Sequence, residues 1–266
     1  MHPTSPHLTL WRRDFSTVPA IERRLARLAL NWLGLTELSK LAIPYYNDRD
    51  TLSLLWELIH PLLDARATAD WRATLDDDLD DQYDRTPDEV AQTLAIAEHS
   101  HRTSASASTA PPKPSARQAM HHFFLTLPRW VPARLAEIDT ALLMPTAILL
   151  GAALELDAAS LRVLDFLELR EHSEPLRKLL ERTRDSIPRR NLEQLAHLLA
   201  LEFRPLRSAL TRRAPLRMLG LIELEHYNSD LETFCKPGSL LREVLEAAPT
   251  DVEALLALLI EPAPPG

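Results

Sequence analysis

The side chains in this sequence best suited to do chemistry are basic. Nine arginines fall between residues 182 and 217 against three carboxylates. The flanks are acidic: residues 1–100 hold ten basic and seventeen acidic side chains, and residues 218–266 hold two and nine. A positive island in a chain of net charge −8 calls for a local explanation. Arg204, Arg207, Arg212 and Arg213, with Lys236 further on, are the candidate contacts for a nucleic acid or an acidic partner. Guanidinium groups of this kind hold phosphates while a recognition helix reads base edges. The same arginines also read as a solvated face, or as ion-pair partners of the acidic N-terminal part.

Other reactive residues point to no catalytic constellation. Cys235 is the only cysteine, which excludes an internal disulfide and a cysteine-rich zinc site. His226 lies across a short hairpin from it, but a cysteine on a short strand reads first as a small buried hydrophobe. Asp78, Asp80, Gln82 and Glu89 stand at positions 1, 3, 5 and 12 of a calcium loop, yet Tyr83 occupies the place that needs glycine. Glu89 is explained without metal, as the far end of a capping box that starts at Thr86. His99, His101, His121 and His122 lack a cysteine or carboxylate at ligand spacing and read as exposed. The five glycines are too dispersed for a phosphate-cradling loop, so no nucleotide cofactor is expected in this chain.

The elements that position these residues read as helices, because leucine, alanine, arginine and glutamate dominate and β-branched residues are sparse. Ile21, Leu25, Leu28 and Trp32 recur on one helical face with arginines opposite. Leu52, Leu55, Trp56 and Ile59 do the same until Pro61 turns His60 away from helix. Further helices follow over 141–156 and 160–183. Another is expected with Asn191 as its cap, and two more begin at Ser239 and at a Thr250–Glu253 box. The stretch 101–117, rich in Ser, Ala, Thr and Pro, can bury little and reads as a flexible linker. It separates a helical domain over 1–100 from a second over 118–262, with 263–266 starting a proline-rich exit. The apolar runs at 142–154 and 254–260 are shorter than the roughly 20 residues a membrane span needs. With no signal peptide at the N-terminus, a soluble, cytoplasmic protein is expected.

One break in the helical pattern is "LRMLGLIELEHYNSDLETFCKPGSLL", residues 216–241. Gly220 stops a helix in a left-handed cap, Leu221–Leu224 begins a strand, "YNSD" turns, and "LETFC" returns. Helix, turn, helix and hairpin in this order resemble a winged helix-turn-helix, so the fold expected is all-α with one small β-hairpin wing. The region 142–262, with the "LGLIEL" junction and the closing "PAPP", is also similar to the helical stretch preceding the ATPase module of certain bacterial AAA+ proteins. That resemblance covers under half the chain. It implies a non-catalytic N-terminal region that recruits a protein partner or substrate for a downstream ATPase core in cis. The alternative is a stand-alone winged-helix regulator that binds DNA. Glu223, Glu225, Asp230 and Glu232 on the wing weigh against it, because they oppose a phosphate backbone.

Overall fold

A computed structural model describes residues 10–38, 49–65, 123–124, 127, 130–139, 143–183, 188–225 and 230–259. The acidic stretch at 78–89, the histidines at 99, 101, 121 and 122, the 101–117 segment and His226 lie outside the described residues. Twelve α-helices and one two-stranded antiparallel sheet are found among them. The chain divides into two compact units, 1–11 with 63–127 and 12–62 with 128–266. Residues 12–62 thus share a unit with residues 128–266.

In the smaller unit the Leu63 backbone bridges Trp11, and Trp11 stacks on Phe123 at 5.5 Å. The larger unit starts with a 3-10 turn, Phe15–Thr17, whose Asp14 cap accepts from the Ser16 amide. Helices α1 (Ala20–Leu38) and α2 (Arg49–Ile59) follow, and at Pro61 the chain tightens into a 3-10 turn, as proline dictates. Then come α3 (Trp130–Asp139), α4 (Pro145–Leu154), α5 (Ala158–Glu171) and α6 (Glu174–Glu181). Helix α1 packs against α2, α3 and α7 (Pro188–Leu198), so it is covered on several sides. Leu28 and Trp32 are buried as their spacing predicts, but Arg23 and Arg24 are buried too, not turned to solvent. The Arg23 guanidinium donates to the Val18 carbonyl at 2.6 Å, closing the preceding 3-10 turn.

Helix α5 is the centre of this unit: every residue from Val163 to Arg170 is buried. Asp157 caps it, accepting from the Ser160 amide at 2.7 Å. Its carboxylates do unusual structural work. Helix α4 begins at a proline with no side-chain cap of its own, and Asp165 accepts its Met144 amide at 2.8 Å. Glu168 accepts the Ala147 amide at 3.1 Å, so the exposed positive end of one helix is closed by two carboxylates from the next. Asp165 also pairs with the buried Arg24 of α1.

After α7 the chain makes two short helices, α8 (Phe203–Ala209) and α9 (Pro215–Met218), where the sequence suggested one. Pro215 can open a helix but not continue one, which divides the pair. Asn191 does not cap α7 but sits within it, buried, because the helix starts at Pro188. Strand β1 (Ile222–Leu224) then pairs with β2 (Cys235–Pro237), with Glu223 opposite Lys236. The return strand starts later than expected: residues 231–234 form a helical turn, α10 (Leu231–Phe234). Asp230 drives this, since its carboxylate caps the turn through the Thr233 amide at 2.7 Å. Helix α11 (Ser239–Ala247) is capped by Gly238, with Ser239 inside it, and α12 (Val252–Leu259) by Asp251, which accepts the Ala254 amide at 2.8 Å, in place of Thr250.

Two glycines shape the hairpin. Gly220 has φ +69°, the left-handed cap expected of it, and a Cβ there would meet nothing within 4 Å. The cost of a side chain is thus conformational alone. Gly220→Ala is expected to lower the stability measured by urea denaturation by about 1–2 kcal/mol, and Gly220→Asn by less. At Gly238 the constraint is contact: a Cβ would fall 2.0 Å from the Gly220 carbonyl oxygen.

Candidate functional site

The basic island does not form one stripe. Arg204 and Arg207 are exposed on α8, while Arg212 and Arg213 are exposed in the loop between α8 and α9. Lys236 is half-buried on β2 and pairs with Glu225 at 3.2 Å. A single recognition helix carrying all four arginines is not formed, because the segment divides into α8 and an α9 that opens at Pro215. The acidic wing residues also divide. Glu223 and Glu225 are exposed, whereas Asp230 is taken up by the α10 cap and half-buried Glu232 lies 3.9 Å from Arg170.

What the fold brings together instead is a cleft of about 580 Å³, bounded by α7, α8, α9, α10 and β1. Buried Leu210 and Phe234 and half-buried Leu192, Phe203 and Leu224 give it an apolar lining. Three arginines line the same space, Arg189 from α7, Arg207 from α8 and Arg217 from α9, together with Thr211. Arg189 is held by Glu193 one turn on, at 3.0 Å. No carboxylate among the described residues pairs with Arg207 or Arg217. Arg207 is among the five candidate contacts, and Arg189 and Arg217 belong to the same basic island without being among the five. Arg217 follows a proline break and sits ten residues beyond Arg207, so no helical periodicity links the two.

The hairpin that forms one wall is anchored from below by α5. The Arg170 guanidinium donates to the Glu232 carbonyl at 2.9 Å and the Cys235 carbonyl at 2.8 Å. Its other edge reaches the Glu171 carboxylate at 2.8 Å. Thr183, at the end of α6, accepts the Leu231 amide at 3.1 Å, a second tie to α10. Cys235 itself is fully buried, and that burial pushes its thiol pKa up to about 12. A thiol so placed supplies almost no thiolate near neutral pH and cannot serve as a nucleophile in the closed fold.

Also on α7, His197 abuts α1 at Gly34, where a Cβ would fall 2.6 Å from the imidazole Nε2. The residue is exposed overall, and the partial loss of solvent against α1 pushes its imidazole pKa down, toward the neutral form. Among the described residues no three His, Cys, Asp or Glu side chains converge as a metal ion would need, and no helix is long and apolar enough to cross a membrane. Compared with protein-family models, with curated proteins and with solved structures, the chain matches none.

Proposed function

We infer that this chain is a non-catalytic recruitment module that acts by protein–protein contact, of the kind that leads into an ATPase core in bacterial AAA+ proteins. ATP would be bound by that core and not by this chain. The observation that carries the reading is a pair of neighbouring apolar side chains, Met218 at 71% and Leu219 at 43% exposure, at the end of α9. In the chain they lie between the exposed Arg212–Arg213 loop and the β1 segment, with exposed Glu223 on the strand and exposed Glu225 just past its end. Apolar residues flanked by charges of both signs suit a protein interface. A phosphate-tracking face carries one sign.

The test is photo-crosslinking in the native cell from a benzoylphenylalanine placed at position 218, with position 53 on α2 as control. A discrete protein adduct that Leu219→Asp abolishes is the expected result. No adduct at 218, or the same adducts at 53, overturns the recruitment reading. Its ATPase part is tested separately by reading the native frame past Gly266. A Gly-x-x-x-x-Gly-Lys-Ser/Thr motif supports it and a stop codon removes it.

A second reading, a winged-helix DNA-binding regulator, is favoured by Arg204, Arg207, Arg212 and Arg213, all exposed and without a carboxylate partner among the described residues. The order of α7, α8, α9 and hairpin fits it, although α10 inside the hairpin departs from a plain wing. It requires duplex binding that falls steeply with salt and is lost in Arg207→Glu with Arg212→Glu. Fluorescence anisotropy at low salt that detects no duplex binding removes it.

A further inference from the structure

We propose that the cleft between α7, α8, α9 and the hairpin is a binding site for a small amphiphilic organic anion, a carboxylate carrying an apolar body. The site is separate from the Met218–Leu219 surface and does not depend on the recruitment reading.

At about 580 Å³ the cleft falls within the roughly 300–1,000 Å³ of small-ligand sites. Five apolar side chains line it, so a ligand gains by removing hydrocarbon from water. Arg207 and Arg217 line the same volume without a carboxylate partner among the described residues, and Arg189, paired with Glu193, lies at its edge. An apolar space edged by two unpaired guanidiniums repels cations and leaves a neutral hydrocarbon without use for the charge. A carboxylate meets the guanidinium fork with two parallel hydrogen bonds, which fixes the head while the body lies against Phe203, Leu210, Leu224 and Phe234. Thr211 offers a hydroxyl to the same head group.

The arrangement is also unlike a nucleic-acid track. Phosphates along a duplex need basic groups strung over an open surface, with little gain from buried leucine and phenylalanine. Here the charge is gathered around an apolar recess. Arg217 illustrates the difference, being half-buried beside the cleft while Arg212 and Arg213 stand exposed in the loop.

The experiment uses the whole chain, with 1-anilinonaphthalene-8-sulfonate as a fluorescent organic anion and decanoate as competitor. One saturable site is expected, with decanoate displacing the dye at least about tenfold better than decanol, since the alcohol lacks the charge. Arg207→Gln with Arg217→Gln is expected to weaken decanoate about tenfold or more, while Arg212→Gln with Arg213→Gln leaves it unchanged. Circular dichroism establishes that both variants are folded. Methyl NMR of the unmodified chain gives a second reading: decanoate should shift Leu192, Leu210 and Leu224 and spare the methyls of Leu55 and Leu62 elsewhere in the fold. Non-saturable dye binding, decanol equal to decanoate, equal loss in both arginine pairs, or shifts spread over all these leucines would each overturn the proposal.

Discussion

Asp165→Ala is expected to cost the fold about 3–5 kcal/mol in urea denaturation, the range for breaking a buried ion pair. The pair joins Arg24 of α1 to Asp165 of α5, with side chains exposed by only 7% each. Losing the carboxylate takes away the counter-charge beside a guanidinium already removed from water, and the penalty of that burial then stands with less to offset it. It also takes away the acceptor of the Met144 amide at the start of α4. Asp165→Asn separates these two effects. The amide oxygen can still accept from Met144 but carries no charge, so a loss close to that of alanine assigns the cost to the ion pair. A loss near 1 kcal/mol would assign it to the helix end alone. The paired replacement Arg24→Met with Asp165→Leu should recover much of the stability, because the interior then holds no charge at this point.

That dependence was not visible in the sequence, and the reason is physical. On the helix pattern Asp165, Glu168 and Arg170 fall where solvent would be expected, between Leu164, Phe166, Leu167 and Leu169. The periodicity says which side chains are apolar, not how many neighbours surround a helix. Because α5 is covered on all sides, its charges had to find partners far along the chain: Arg24, the first amides of α4 and the carbonyls of the hairpin. The helical class itself was legible in composition, and the hairpin was legible at Gly220, since only a left-handed residue turns the chain directly from α9 into β1. Helix ends without glycine were harder. Glu155 and Ala248 take left-handed conformations at the ends of α4 and α11, where no sequence signal marks them. The α10 turn is legible through Asp230 and Thr233, since an aspartate three residues before a threonine amide can cap a helical turn as well as start a strand. The cleft was half legible. Arg207 could be singled out from the sequence, but the residues that line the recess with it arrive on α7, α9, α10 and β1, which no local pattern brings together.

Arg170→Met should release the hairpin, and the single cysteine makes that release measurable. Methionine keeps much of the side-chain volume but donates nothing to the Glu232 and Cys235 carbonyls, and the loss is expected to be about 2–4 kcal/mol. Part of it should be local. Among the described residues, the hydrogen-bonded ties from the helices beneath to α10 and β2 are the Arg170 donors and the Thr183 acceptor, and the variant keeps only the second. The measurement is the rate at which Cys235 reacts with an aromatic disulfide reagent at pH 8. In the native protein the rate should be very slow, because the thiol is fully buried and its pKa stands near 12. If the hairpin opens about 2 kcal/mol more easily, labelling should quicken by roughly 30-fold. Electrostatics alone predicts the opposite. The Arg170 charge lowers the thiol pKa against the effect of burial, so removing it from a hairpin that stays closed would make the thiol less acidic and slower to react. An accelerated rate therefore reports opening. Thr183→Val, which removes the other tie, should quicken labelling in the same direction by a smaller factor, since the bond lost is neutral where those of Arg170 are charge-assisted. If labelling of Arg170→Met instead rises only in step with global unfolding, the hairpin and the helices beneath it open as one unit, and the anchor serves the whole fold and not the cleft wall alone.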